Sequence, residues 1–516
     1  MDMKKILFIS LLLAVCLAAG AQPGFGFGQA AAVPESAQPA RQFTLDLTPD
    51  GAAQMVVYLP KQPSGRAVVD CPGGGYAVLS NTHEGSAWAP FFNERGIAFM
   101  LVNYRIPHGD RTLPITDVET AMRVVRDSAA VWQLNPRDVG IMGSSAGGHL
   151  ASTIATHTPY ELRPDFQILV YPVITMGPGT HQGSLDGLLG DNQKDPDLVR
   201  LYSNEYQVRS HLTPPAFIVL SSDDNLVPPV PNAIAYYTAM RNAGNSCSLH
   251  IYPTGGHGYG YMPFFAYHDQ MVSDLSSWLE NLKAPKQDAV RVACIGDSIT
   301  DGHGIDLRTV NGYPAQMQTM LGDGYVVKNF GVSARTVMNS GDLPYMNELA
   351  WEDALAFQPD VVVVALGTND SKEYNWVHKK DFAGDLQKMI DALKKLPSAP
   401  KIYLATPIPA LKDSWTINEK VIAEEIIPLI EKAAKKNKLA GVIDLHGAFA
   451  GQDNLYQEDG IHPTQQGART LAATVAKVID PNAQTEQRGF FGMGGGRPGG
   501  GPRPGAGGPG PGAPRP

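Results

Sequence analysis

Short apolar runs alternate with segments of helical periodicity along two stretches of this chain, and this alternation restricts the fold more than any other feature. A strand, a helix and a further strand in succession are typical of βαβ units, whose strands pair in parallel. The run PDVVVVAL at 359–366 shows no polar alternation, as expected for a strand covered on both faces. The sequence therefore predicts an α/β protein with parallel sheets, and it places 359–366 centrally in one of them.

The two series of apolar runs are separated along the chain. The first gives predicted strands at 67–71, 97–104, 139–143, 166–174, 217–222 and 248–253, with helices over Val118–Val131 and Ala233–Ala243. The second gives predicted strands at 290–296, 359–367, 401–407 and 441–447. Because 516 residues of 43% hydrophobic content exceed one ordinary domain and can bury two cores, we predict two domains, at 42–284 and 285–481.

The N-terminus has the character of an export signal. Residues 1–21 combine a lysine pair with an apolar run from Ile6 to Leu17 and small residues near the end. We therefore predict a secreted or periplasmic protein, with no later segment long and apolar enough to span a membrane. Lipid attachment at Cys16 is the less favoured alternative, because Val15 stands where a small residue is wanted.

Composition and charge argue against a nucleic-acid-binding protein and against a disulfide-rich one. The chain has 41 Lys+Arg against 50 Asp+Glu, a net charge of −9, and no basic run that could track phosphates, so nucleic acid is not an expected partner. Cys71, Cys247 and Cys294 remain beyond the signal, and this odd number predicts small buried residues rather than a disulfide framework.

A flexible lead at 22–41 and a disordered Gly/Pro-rich tail at 482–516 are expected, with attachment to a surface as the alternative role for the tail.

A first candidate nucleophile stands in GSSAG, 143–147, which fits G-x-S-x-G between a predicted strand and a helical segment. The small neighbours permit the tight turn that lifts Ser145 above a sheet. A serine nucleophile needs a histidine base and an acid that orients it, in the order Ser, acid, His for such a turn. Asp224 and His257 follow two later strands in that order, with Asp223 as the alternative acid.

Backbone N–H groups must also face the oxyanion that forms during acyl transfer. CPGGGY follows an early predicted strand and supplies Gly74 and Gly75, which let the main chain approach closely because they lack a Cβ. Ala146, next to the candidate nucleophile, supplies a further N–H. These three residues are the predicted oxyanion donors of the first site.

A second candidate nucleophile, Ser298, stands in GDSIT after another predicted strand. The stretch EDGIHPT places Asp459 and His462 three residues apart, where both side chains can share one side of a turn. Gly331 in KNFGVSART and Asn369 in LGTND are candidate oxyanion donors, through an N–H and a side-chain amide. The sequence therefore predicts two separate centres of acyl transfer.

Residues 42–284 resemble α/β-hydrolase esterases related to acetylxylan and feruloyl esterases. The resemblance is carried by PGGGY, the HEG at His83 to Gly85, the NYR at Asn103 to Arg105, GSSAGGH and DDNLVP. Pro72 stands where the lipase-like branch of this group has a histidine, which disfavours a lipid substrate. The resemblance implies an α/β-hydrolase fold with a serine esterase site.

Residues from about 288 to 481 resemble the SGNH (GDSL) hydrolase family, with Ser298, Gly331, Asn369 and His462 at its four named positions and Asp459 as the acid. The resemblance implies a flavodoxin-like three-layer α/β/α fold. NFGVSART and LGTNDSKEYNW are most similar to the branch that removes O-acetyl groups from carbohydrates, including sialate O-acetylesterases.

The two sets of residues predict a two-site serine esterase. The family resemblance implies that it removes O-acetyl groups from a decorated glycan, with acetylated xylan as the first expectation and O-acetylated sialic acid as the second. The alternative is one active domain joined to a glycan-binding module. None of the 13 histidines falls into a metal-ligand spacing, and His83, His149 and His303 are expected to be structural or to contact substrate. We expect no metal and no cofactor, and the sequence gives no indication of oligomeric state.

Overall fold

The fold follows from a computed structural model that describes residues 34–210 and 212–485. The predicted export signal with Cys16, most of the lead and most of the tail lie outside these residues. Two α/β domains, each built on its own sheet, follow one another in the chain, as the sequence predicts.

The first domain is built on an eight-stranded mixed sheet. Its strands are β1 (Arg41–Asp46), β2 (Gln54–Leu59), β3 (Ala67–Cys71), β4 (Ala98–Asn103), β5 (Val139–Ser144), β6 (Gln167–Val170), β7 (Ala216–Ser221) and β8 (Cys247–Tyr252). Their order is β1-β2-β4-β3-β5-β6-β7-β8, with antiparallel pairs β1/β2 and β2/β4 and parallel pairs elsewhere. The helices are α1 (Ala89–Glu94), α2 (Thr112–Asp127), α3 (Ala129–Trp132), α4 (Ala146–His157), α5 (Gln182–Leu189), α6 (Pro196–Leu201), α7 (Ala235–Asn242) and α8 (His268–Asn281).

The second domain is built on a five-stranded parallel sheet. Its strands are β9 (Val290–Gly296), β10 (Tyr325–Gly331), β11 (Val361–Ala365), β12 (Lys401–Ala405) and β13 (Gly441–Ile443), in the order β10-β9-β11-β12-β13. The helices are α9 (Ser298–Asp301), α10 (Arg308–Asn311), α11 (Tyr313–Leu321), α12 (Leu349–Ala356), α13 (Glu373–Trp376), α14 (Phe382–Lys394), α15 (Glu419–Val421), α16 (Ile427–Asn437), α17 (Leu445–Phe449) and α18 (Gln465–Ile479). The run at 359–366 forms β11, the middle strand, as its unbroken apolar character predicts.

Several predicted elements have different bounds in the structure. The expected strand at 166–174 ends at Val170, because Tyr171 has a positive φ of 34° and Pro172 follows it. The expected strand at 441–447 ends at Ile443, because the Asp444 side chain accepts a hydrogen bond from the Gly447 N–H at 2.8 Å and starts α17.

The sequence predicts a parallel sheet for the first domain, but the sheet is mixed. Strands β1 and β2, which the sequence pattern does not predict, pair antiparallel with each other, and β2 pairs antiparallel with β4. Strand β1, RQFTLD, is an edge strand whose residues are all at least partly exposed. Its sequence carries only a weak alternation, and its pairing with β2 is supplied by the assembled sheet. β1 begins at Arg41, the final residue of the expected lead.

The two domains contact each other through polar and aromatic groups. Arg209 forms an ion pair with Asp353 at 2.5 Å, and the Arg308 Nη2 donates to the Ala243 carbonyl at 2.9 Å. Tyr160 of the first domain packs on Phe330 and Phe357 of the second, with ring centroids 6.4 and 5.1 Å apart. Phe330 precedes Gly331, so this contact reaches the strand that carries a predicted oxyanion donor.

The three cysteines beyond the signal are unpaired thiols, and Cys71 and Cys294 are buried. Burial raises the pKa of Cys294 to about 12. Over the described ranges, no helix combines the length and apolar character needed to cross a bilayer.

Candidate active sites

Ser145 lies at a sharp turn between β5 and α4, as the pentapeptide predicts. Its backbone has φ 54° and ψ −121°, a conformation that is unfavourable for a residue with a Cβ. The flanking glycines make the turn possible, because a Cβ on Gly147 would collide with the Cys71 carbonyl oxygen, and a Cβ on Gly143 would collide with that of Gly147. The turn presents the Ser145 hydroxyl to the loops that follow β3, β7 and β8.

His257 and Asp224 lie next to Ser145 in the predicted order. The His257 Nε2 is 2.8 Å from the Ser145 Oγ, and its Nδ1 is 2.7 Å from an Asp224 carboxylate oxygen. The other Asp224 oxygen accepts N–H bonds from Leu226 and Val227. An ionised carboxylate only accepts, so the His257 proton sits on Nδ1 and the Nε2 lone pair faces the serine.

Asp223, the alternative acid, occupies a different position. One of its carboxylate oxygens accepts the Gly256 N–H at 2.8 Å, on the loop that carries His257. Asp223 thus ties the histidine loop down, and the geometry favours Asp224 as the residue that orients His257.

The oxyanion loop lies over Ser145. Glu84 accepts the Gly73 N–H at 3.0 Å, so Gly74 and Gly75 are the loop residues left as donors. Both have positive φ, 125° and 65°, and a Cβ on Gly74 would collide with the Val78 carbonyl. Ala146 is the first residue of α4, where an N–H has no partner within the helix. All three predicted donors therefore lie on backbone adjoining the nucleophile turn.

Glu84 belongs to the HEG motif, which contributes to the family resemblance but by itself predicts no role for this residue. It is buried, and its second oxygen accepts the Tyr171 hydroxyl at 2.8 Å. The Tyr171 hydroxyl in turn accepts the Gly260 N–H at 2.7 Å, and its ring centroid lies 4.6 Å from that of His257. Glu84 therefore connects the oxyanion loop to the histidine loop.

His149 is structural. Its Nδ1 is 2.9 Å from the Tyr76 hydroxyl and its Nε2 is 2.7 Å from the Tyr202 carbonyl. Since a carbonyl only accepts, Nε2 carries the proton and Nδ1 accepts from Tyr76, which anchors the end of the oxyanion loop. Burial lowers the pKa of His149 to about 4, so the ring stays neutral. A further histidine, His181, is not among the residues predicted from the sequence, and its ring lies beside Gly75.

Ser298 begins α9 directly after β9, in a turn unlike that of Ser145. The Asp297 side chain caps this helix by accepting the Ile299 N–H at 3.0 Å, and burial raises the pKa of Asp297 to about 6. Ser298 is 9% exposed. The two candidate nucleophiles are thus presented by different backbone geometry, as the absence of a second glycine in GDSIT indicates.

His462 and Asp459 complete the same arrangement at Ser298. The His462 Nε2 is 2.8 Å from the Ser298 Oγ, and its Nδ1 is 2.8 Å from Asp459. Burial lowers the pKa of His462, and the nearby His303 acts in the same direction, while Asp459 opposes both. Burial acts to raise the pKa of Asp459, but hydrogen bonds from His462 and Ile461 outweigh it and hold that pKa below its usual range.

The predicted donors of the second site already have partners. The Gly331 N–H donates to the Asn329 Oδ1 at 2.8 Å, and the Asn369 Nδ2 donates to the Arg335 carbonyl at 3.3 Å. The Asn369 bond is long and easily exchanged for a substrate oxygen, whereas the Gly331 bond must be shared or broken. The main chain of Asn369 is held in place by Asn375, whose Nδ2 donates to the Asn369 backbone carbonyl at 2.9 Å.

The described ranges hold no group of three or more His, Cys, Asp or Glu side chains able to bind a metal ion.

Comparison with known proteins extends these observations. Residues 68–260 match the alpha/beta hydrolase fold family, and residues 294–470 match the GDSL-like Lipase/Acylhydrolase family. The chain is 56% identical over 462 residues to the acetylxylan esterase of Xylanibacter ruminicola, an alignment covering 86% of this chain and 96% of that protein.

Two further similarities cover part of the chain. It is 34% identical over 205 residues to endo-1,4-beta-xylanase B of Butyrivibrio fibrisolvens, covering 36% of this chain and 31% of that one. An acetyl ester-xyloside bifunctional hydrolase from Caldicellulosiruptor lactoaceticus has a crystal structure with 30% identity and a TM-score of 0.44, covering 47% of this chain and 97% of that one.

Proposed function

Since this chain belongs to the acetylxylan esterase family of carboxylic ester hydrolases, we propose that it removes O-acetyl groups from acetylated xylan through two separate serine sites. The proposal rests on one observation, the same arrangement of serine, histidine and carboxylate in both domains. Each domain holds a serine Oγ 2.8 Å from a histidine Nε2 whose Nδ1 meets a carboxylate, at 2.7 Å in the first domain and 2.8 Å in the second.

The same reaction runs at either site. The serine Oγ attacks the acetyl carbonyl carbon while His257 or His462 takes its proton at Nε2, and Asp224 or Asp459 stabilises the imidazolium. The oxyanion is held by backbone N–H groups of the glycine loop and Ala146 in the first site, and by the Asn369 side-chain amide, with the Gly331 N–H if it is released from Asn329, in the second. The C–O bond to the sugar then breaks, and the sugar oxygen leaves with the proton from Nε2. A water molecule, deprotonated by the same histidine, attacks the acetyl-serine; the bond between the acetyl carbon and the serine Oγ breaks, the Oγ takes the proton back from Nε2, and acetate is released.

Serine variants test this function. We expect Ser145→Ala and Ser298→Ala each to remove a different share of acetate release from acetylated xylan, with the double variant lower by about a thousandfold or more. Acetate release from O-acetylated sialic acid, measured in parallel, tests the alternative carbohydrate. If either single variant already matches the double variant on every ester, the two-site proposal fails, and binding of deacetylated xylan then tests the silent domain as a glycan-binding module.

We also propose that the protein acts outside the cytoplasm, on the basis of the signal pattern in residues 1–21. N-terminal sequencing of protein recovered from the periplasm or medium is expected to begin near Gln22. A mature N-terminus at Cys16 carrying lipid would contradict this cleavage site.

A further inference from the structure

An exposed tryptophan lies beside the second candidate base. Trp415 is 54% exposed, in the loop between β12 and α15. Its ring centroid lies 5.5 Å from that of His462, with the two planes at 69°. Single exposed apolar residues are common on protein surfaces, so exposure alone does not indicate a role.

The backbone at this position is unfavourable. Trp415 has φ 53° and the following Thr416 has φ 60°, in the left-handed region that bulky and β-branched residues avoid. Such conformations persist only where the surroundings hold them, and they concentrate at functional sites.

Hydrogen bonds hold this loop against the segment that carries Asp459. The Leu411 N–H donates to the Gly460 carbonyl at 2.8 Å, the Lys412 Nζ to the Glu458 carbonyl at 2.5 Å, and the Ser414 hydroxyl to the Asp459 carbonyl at 2.6 Å. The loop that carries Trp415 is therefore held against the segment of Asp459 and His462, and the indole contacts the His462 ring.

An indole at this place suits a sugar ring. The C–H face of a pyranose is apolar and packs on aromatic rings, while its hydroxyls stay in water. An ester at the Ser298 Oγ is joined through one oxygen to its sugar, so that sugar or its neighbour lies within reach of an aromatic ring beside His462. We propose that Trp415 is a stacking platform for a pyranose of the polymer that is deacetylated at Ser298. The inference rests on the proposed function of the second site.

The test uses full-length protein carrying Ser145→Ala, so that only the second site acts. Trp415→Ala is expected to raise KM for an acetylated xylooligosaccharide about tenfold, with a much smaller effect on kcat, and Trp415→Phe to restore most of the loss. Hydrolysis of p-nitrophenyl acetate, which has no sugar, is expected to change far less than that of the oligosaccharide. The matched control is Tyr206→Ala, which removes a ring 56% exposed on the first domain.

A binding measurement separates this inference from the function on which it rests. In protein carrying both Ser145→Ala and Ser298→Ala, calorimetric titration with unacetylated xylohexaose is expected to show about tenfold weaker binding when Trp415 is replaced by Ala. The stacking role is overturned if Trp415→Ala lowers kcat equally on both esters and Trp415→Phe does not restore it. It is also overturned if xylohexaose binding is unchanged. Absence of all ester hydrolysis in the Ser145→Ala protein overturns the proposed function of the second site, while the titration still decides the role of Trp415.

Discussion

The two candidate bases have different surroundings, although each is oriented by a carboxylate. His257 has the Tyr171 ring 4.6 Å away, whereas His462 has the His303 ring at 4.5 Å. A histidine acts as a base only when neutral, so the acid limb of the rate profile follows its pKa. Burial holds the pKa of His462 below its ordinary value of 6.5. We therefore expect His462 to stay neutral, and able to act as a base, to a lower pH than an ordinary histidine.

We expect the kcat/KM of the Ser145→Ala protein to fall as the pH drops through the His462 pKa, with the midpoint of this acid limb below about 6.5. A pH series of p-nitrophenyl acetate hydrolysis measures it. His303→Ala removes a neighbour that lowers this pKa and also exposes the ring, so the midpoint should move upward. A midpoint at or above 6.5 in the Ser145→Ala protein contradicts the expectation.

At the scale of elements, the first site depends on two loops that must keep their relative position. Glu84 bonds the oxyanion loop at Gly73 and, through Tyr171, the histidine loop at Gly260. A carboxylate accepts both bonds, while a glutamine amide has one accepting oxygen and one donating nitrogen. The Gly73 N–H can only donate, so in a Glu84→Gln variant the amide oxygen must face Gly73 and the amide nitrogen must face Tyr171, whose hydroxyl proton then loses its acceptor.

We expect Glu84→Gln, in protein carrying Ser298→Ala, to lower kcat at the first site about tenfold to a hundredfold with little change in KM, since small displacements of positioned groups have effects of that size. Glu280→Gln, at an exposed position on α8, is the matched control. Steady-state kinetics and the melting temperature are compared. An activity loss that only parallels lost stability, or kcat within twofold of the parent, rules out the positioning role.

At the scale of the whole molecule, the contact between domains reaches the second site. Tyr160 packs edge-on against Phe357 and contacts Phe330, one residue before Gly331. Leu212 of the first domain also packs within a hydrophobic cluster of the second. The first domain therefore supports the strand that carries a candidate oxyanion donor.

Tyr160→Ala is expected to uncouple the unfolding of the domains, because each aromatic pair contributes about 0.5–1.5 kcal/mol beyond the area it buries. Scanning calorimetry should show two transitions further apart than in the parent, and activity that depends on Ser298 should be lost at a lower temperature. Tyr206→Ala serves as the control here too. An unchanged thermogram means that the domains are not coupled through this contact.

From the sequence alone came the two-domain α/β class and the central place of β11, which the structure shows, and the family resemblance, which the comparisons confirm. These follow from local patterns: apolar periodicity, small residues at a tight turn and short motifs. The sequence also predicted the serine, histidine and aspartate of each site, which the structure brings within hydrogen-bond distance, while their roles and those of the oxyanion donors stay predictions. The sequence favours Asp224 and keeps Asp223 as the alternative acid, and the structure shows their different contacts, because adjacent residues on one loop point in different directions.

Only the tertiary structure revealed the contacts of Glu84, His149 and Trp415, and the engagement of the Gly331 N–H by Asn329. These depend on contacts between segments far apart in the chain, which leave no periodic or motif signal. The mixed sheet of the first domain has the same cause, since the edge strand β1 acquires its place only by pairing with β2. Local chemistry therefore fixed what kinds of groups the chain carries, and long-range packing fixed which of them meet.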